Sequence, residues 1–142
     1  MNVEYLDLDK KKTLLVVEDD QGWILIIKHL LATRNINAIY AQTGEEALEI
    51  IHDRDDVTCM FLDVSLGTGI SGLDLAARIK TKPCFKNTPM IAMTAYEKQF
   101  MSDYDQIGFT GYLQKPYSLD QLGALLDAQD LQNPSQSAEY LN

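Results

Sequence analysis

Cys59-Met60-Phe61-Leu62-Asp63 is an apolar run that stops abruptly on a carboxylate. Followed by the stretch 64–72, which holds Gly67, Gly69 and Gly72, it reads as a buried strand delivering Asp63 into a loop. The same event recurs along the chain. Leu14-Leu15-Val16-Val17 runs into Glu18-Asp19-Asp20, Met90-Ile91-Ala92-Met93 into Thr94, and Tyr112-Leu113-Gln114 into Lys115-Pro116. An acid pair, an acid, a hydroxyl and an ammonium thus stand at the C-terminal ends of predicted strands. Ligands of open α/β sheets bind outside those ends.

Between the strands the apolar spacing turns helical. Trp23, Ile27, Leu30 and Leu31 give a helix reaching about Arg34, broken at Asn35-Ile36-Asn37 before a short strand over Ala38 to Ala41. Thr43, with Glu46 completing a capping box, opens a second helix buried through Ala47, Leu48, Ile50 and Ile51. The third strand is Val57 to Leu62, and Ser71 to Lys80 is a helix with Leu73, Ala76 and Ala77 on its inner face. After the fourth strand, Met90 to Thr94, the positions Phe100, Tyr104 and Ile107 predict a helix ended by Gly108 in a left-handed cap. Gly111 to Gln114 is the fifth strand, and Ser118 caps a last helix facing inward through Leu119, Leu122, Leu125 and Leu126. Five strand–helix alternations without hairpin signals predict an α/β domain: a doubly wound, five-stranded parallel sheet with helices on both faces. Residues 1–12 read as a charged leader, 13–129 as the domain, and 130–142 as an acidic, polar tail.

Composition narrows the function. The chain has 142 residues, 46% hydrophobic, enough for one domain with a real core. A net charge of −9 lacks the basic footprint of a nucleic-acid binder, and Lys10-Lys11-Lys12 is too small a cluster to supply it. Two cysteines, Cys59 and Cys84, have neither metal spacing nor a disulfide framework, which points to a reduced, cytoplasmic protein. No apolar run approaches membrane-spanning length, and the acidic N-terminus is the reverse of a secretory signal, so no membrane partner is expected.

If the first and third strands are neighbours, Glu18, Asp19 and Asp63 share one crevice. Like charges that close raise one another's pKa unless a cation intervenes. A few carboxylates plus water suit Mg²⁺, which is usually completed by phosphate oxygens. Lys115 supplies a point charge and Thr94 a hydroxyl for such a phosphate. Asp63 can act as a nucleophile and carry an acyl phosphate. Each residue has a plainer reading when taken alone: Glu18-Asp19-Asp20 as a solvated helix start, to which Asp20 is assigned, Asp63 as a loop cap, Thr94 as a strand end, Tyr112 as core or surface, and Trp23 as core, close enough to the acid pair to report metal binding. His29 and His52 have no partners in the sequence pattern and are read as ordinary helix residues.

Val16-Val17-Glu18-Asp19, Leu62-Asp63, Met93-Thr94-Ala95 and Gln114-Lys115-Pro116, in that order with helices between, resemble the CheY-like receiver domain of bacterial two-component response regulators. The resemblance covers roughly Lys11 to Gln129 and implies the flavodoxin-like sheet order 2-1-3-4-5. It further implies that Asp63 is the phosphoacceptor and that Glu18, Asp19, Asp63 and the carbonyl of Ser65 hold Mg²⁺. Thr94 and Lys115 would contact the phosphoryl group, Lys115-Pro116 would be a cis peptide, and Thr94 and Tyr112 would form the switch. The implied partners are a sensor histidine kinase or phosphotransfer protein and a downstream protein. The function implied is a stand-alone receiver that switches a protein surface or relays phosphate, catalysing its own phosphorylation and dephosphorylation.

Two departures stand out in the loop after the acceptor. The family carries proline four residues on, where this chain has Gly67, and its glycine at eight is here Gly72 at nine, so the loop has gained one residue. Tyr96, beside Thr94, is bulky and is expected to slow water attack on the acyl phosphate. The rival readings are a degenerate receiver used only for docking, which should lack an acceptor, acid or lysine, and an aspartate-nucleophile phosphatase of the haloacid-dehalogenase type. That phosphatase wants a second aspartate two residues on, where Ser65 stands.

Overall fold

The computed structural model describes residues 13–97 and 104–129. The leader 1–12, the tail 130–142 and Phe100 lie outside the described residues. Strands β1 (Thr13–Val17), β2 (Asn37–Ala41), β3 (Val57–Asp63), β4 (Met90–Thr94) and β5 (Gly111–Gln114) form one sheet in the order β2-β1-β3-β4-β5. All four pairings are parallel. Helices α1 (Gln21–Ala32), α2 (Gly44–His52), α3 (Gly72–Lys80), α4 (Tyr104–Ile107) and α5 (Leu119–Ala128) connect or follow them. The strand order that the family resemblance implied is the one found.

β1 and β4 are buried at every position, as continuous apolar runs in a parallel sheet must be. Because neighbouring strand residues point to opposite faces, alternate residues feed two cores. Leu15, Val17, Met60 and Leu62 pack with Ala47 and Ile51 of α2, Leu75 and Ile79 of α3, and Phe85. Leu14, Val16 and Phe61 pack with Ile27 and Leu31 of α1 and Leu122 and Leu126 of α5. The two faces leave the C-terminal edge of the sheet open between them.

The structure corrects several details. α1 ends at Ala32, capped by Thr33, with Asn35 at φ 54° in the left-handed region. Its buried side is Ile24, Ile27 and Leu31, and Trp23 is only half-buried. In α3 the buried residues are Leu75, Ala76 and Ile79, while Ala77 is exposed. Periodicity left the phase of that stripe open, and the larger Leu75 and Ile79 take the inward positions against Phe85. Leu119 is 41% exposed at the first turn of α5, before the helix reaches the sheet. Thr43 accepts the Glu46 N–H as expected, but the Glu46 carboxylate takes the N–H of Gln42 rather than closing the box on Thr43. A complete capping box forms instead at Ser118 and Gln121. β3 runs one residue further than expected, through Asp63, which pairs with Met93. Gly108 has φ 120°, the positive value a terminating glycine supplies.

Candidate functional site

β1 and β3 are adjacent, so the apolar runs that end on Glu18 and Asp63 finish side by side. Glu18 is fully buried and Asp63 is 4% exposed, whereas Asp19 faces solvent. One carboxylate oxygen from each of the three lies within 4.8 Å of the other two. Lys115 enters from the end of β5 and places its Nζ 2.5 Å from Glu18 Oε1 and 3.3 Å from Asp63 Oδ2. The Lys115-Pro116 peptide is cis, as the resemblance implied.

Backbone donors complete the cluster. Asp20 N–H donates to Glu18 Oε2 at 3.2 Å, and Ser65 N–H to Asp63 Oδ1 at 2.9 Å. Gly67 N–H donates to Asp19 Oδ2 at 2.8 Å. Asp20 itself caps α1, accepting from Gly22 and Trp23 N–H groups. Burial, then the neighbouring Asp63, push the Glu18 carboxyl up to about 7, and Lys115 offsets only part of that rise. A buried acid held so high beside two other carboxylates is a donor set short of positive charge. That deficit, on hard oxygen ligands, fits Mg²⁺.

Thr94 is fully buried at the end of β4 and its Oγ1 accepts the Tyr96 N–H at 3.0 Å. The carbonyl of Tyr96 accepts from the Tyr112 hydroxyl. The two proposed switch residues are therefore joined through the backbone of one residue, Tyr96. Ser65 lies exposed at the mouth of the site.

Trp23 lies near the site as expected from its place after the acid pair, and two supporting residues, Tyr117 and Glu45, escaped the motif pattern. The Trp23 ring lies with its centroid 5.4 Å from Lys115 Nζ and 4.3 Å from the Tyr117 ring, which is tilted 33° against it, so the tryptophan face seats the lysine with the tyrosine beside it. The place of Tyr117 just beyond Lys115-Pro116 is the sequence signal that could have found it. Burial and the charges of Glu18 and Asp63 hold the Tyr117 phenol above its ordinary pKa, in its neutral form. Glu45, read only as part of a helix start, reaches the loop after Asp63 and accepts from Ile70 N–H.

A parallel sheet in this order, with carboxylates, hydroxyl and lysine gathered at its C-terminal edge, defines a signalling switch domain of the flavodoxin-like class. The profile of the response regulator receiver domain matches residues 14–127, and the chain belongs to that family. Receiver domains bind Mg²⁺ at an acidic pocket and work with kinases and downstream effectors; they are signalling proteins rather than conventional enzymes. Among relatives, the transcriptional regulatory protein CpxR of Escherichia coli is 29% identical over 116 residues, covering 81% of this chain and 47% of its own. The 3',5'-cyclic-nucleotide phosphodiesterase regA of Dictyostelium discoideum is 29% identical over 119 residues, 82% of this chain and 15% of its own. The chain thus spans half or less of these relatives' lengths. Among solved structures, the chemotaxis response regulator CheY4 of Vibrio cholerae superposes with a TM-score of 0.79 at 21% identity, over 84% of this chain and 99% of that one. A putative response regulator of Chloroflexus aurantiacus gives 0.77 at 28% identity, over 84% and 98%. Among the described residues no helix is long and apolar enough to cross a membrane.

Proposed function

We propose that the chain is a stand-alone receiver that takes a phosphoryl group from the phosphohistidine of a sensor kinase or phosphotransfer protein onto Asp63. The observation that carries this reading is the nearly buried Asp63 carboxylate, with Lys115 Nζ at 3.3 Å and the Glu18 and Asp19 carboxylates alongside. An Asp63 oxygen attacks phosphorus, the phosphorus–nitrogen bond breaks, and its electron pair leaves on the donor imidazole. Lys115 balances charge on the transferring group, and Ser65 N–H holds the other Asp63 oxygen in place. Glu18, Asp19, Asp63 and the Ser65 carbonyl are the residues that would hold Mg²⁺, which when bound supplies charge neutralisation on phosphate oxygens.

Phosphorylation adds about −1.5 to −2 charges at neutral pH. Thr94 turns its hydroxyl toward the phosphoryl group and releases the Tyr96 N–H it now accepts. The residue that loses this anchor, Tyr96, is the one whose carbonyl is bonded to Tyr112, so the change passes to β5. Carrying a surface from about 1:99 to 99:1 takes roughly 5.5 kcal/mol of differential stabilisation. Output is then a protein contact or onward transfer of phosphate.

Intact-protein mass after incubation with Mg²⁺ and acetyl phosphate tests the reading. One phosphoryl adduct is expected on the wild type and none on Asp63→Asn or in EDTA. An adduct that persists on Asp63→Asn would show that the acceptor lies elsewhere.

A further inference from the structure

The loop after Asp63 departs from its family in length and in one residue, and both departures are used. Gly67 stands where proline is usual, and proline has no N–H to give. That N–H is the donor to Asp19 Oδ2 at 2.8 Å. Three residues on, Ile70 N–H is gripped by the Glu45 carboxylate at the first turn of α2, at 3.1 Å from Oε2 and 3.4 Å from Oε1. Missing side chains let the loop lie this close. Gly69 has φ 74°, and a Cβ there would sit 2.2 Å from Glu45 Oε1. Ile70 presses on bare backbone at Gly44, where a Cβ would meet its Cγ1 at 2.4 Å.

We propose that Glu45 is a positioning residue for the metal site: by latching the lengthened loop it fixes the Gly67 N–H that orients Asp19. This rests on the metal site described above. Glu18 and Asp63 are buried and tied by Lys115, but Asp19 is exposed, and its orientation comes from the loop. A carboxylate has two oxygens and several lone pairs, so the hydrogen bond to Oδ2 leaves Asp19 with capacity to bind a cation. Ordering that carboxylate beforehand spares the cation the cost of immobilising it. Groups that orient metal ligands in this way change affinity by roughly 10-fold to 100-fold. Glu45 acts one step further out, so its loss should weaken binding by about tenfold.

The test is Mg²⁺ titration of the full chain by calorimetry, paired with amide hydrogen exchange of Gly67 and Ile70 in EDTA. Glu45→Ala should bind about tenfold more weakly than wild type and exchange both amides faster. Glu45→Gln keeps an acceptor without the charge and should recover most of the affinity. Glu46→Ala removes the neighbouring first-turn charge, whose partner is Gln42, and should bind as wild type does. Glu45→Ala binding like wild type, Glu45→Gln as weak as Glu45→Ala, or unchanged exchange at Gly67 would each overturn the latch. Wild type that binds no Mg²⁺ would overturn the site itself.

Discussion

Glu18→Gln in the metal-free protein removes the carboxylate whose ionisation the fold opposes most. Glu18 is fully buried, and its carboxyl is pushed from 4.5 to about 7. Between those values the folded state holds a proton that the unfolded state has released, so unfolding free energy falls as pH rises. The stabilisation is fully present below pH 4.5 and is lost above about pH 7. At roughly 1.4 kcal/mol per unit, that loss is about 3 kcal/mol. Glutamine has nearly the same shape and never ionises. Groups that titrate alike in both proteins cancel, so the difference in stability should swing by about 3 kcal/mol in favour of the variant from pH 4.5 to 7.5. Urea unfolding in EDTA measures it, and at a slope of about 1.5 kcal/mol/M the swing is roughly 2 M in midpoint. Saturating Mg²⁺ should close most of the gap at pH 7.5, because a cation at one hundred times its dissociation constant adds about 2.7 kcal/mol to wild type alone. A difference that stays flat across the range, or moves the other way, would refute the account of a charge-deficient carboxylate cluster.

Asp63→Asn removes one cause of the raised Glu18 pKa, so in that background the Glu18→Gln swing should shrink, as a double-mutant cycle in urea would show. Gly72→Ala should cost more than about 2 kcal/mol, since its Cβ would lie 2.0 Å from the Asp63 carbonyl oxygen, which is backbone and cannot step aside. Gly22→Ala, whose Cβ would meet only the Asp20 side chain at 3.1 Å, serves as the tolerated comparison in the same unfolding assay. Trp23→Leu should slow phosphorylation by acetyl phosphate by about fivefold, with Trp23→Phe retaining more of the rate, because the ring face seats Lys115. Ser118→Ala breaks the capping box on α5 and should lower stability by about 1 kcal/mol.

Four apolar runs ending on Glu18-Asp19, Asp63, Thr94 and Lys115 made the parallel sheet and its reactive edge legible before any coordinates. The reason is physical: a strand buried on both faces must be apolar throughout, so the first polar residue after it marks the exit from the core. Helix caps were nearly as readable, since Thr43 and Ser118 each accept from the backbone N–H three residues on, whereas Ser71, read as the first helical residue, proves to be a cap of the same kind. Finer choices were not. Whether Leu73 or Leu75 faces the sheet depends on how α3 is rotated by its neighbours, and spacing alone allows either.

The sequence by itself determined the alternation of strands and helices, the residue types at each strand end, and the departure of the loop at Gly67 and Gly72. Only the tertiary structure decided that β1 lies beside β3, which brings Glu18 and Asp63 onto one lysine. It alone decided that the Trp23 ring, packed against Tyr117, lies beneath that lysine and that Glu45 holds the loop of Asp63 from another helix. Local pattern is written in neighbouring residues, because caps and periodicity act over a turn or two. Contacts such as Lys115 to Glu18 join residues distant in the chain, and only the packing of the whole sheet sets them within reach.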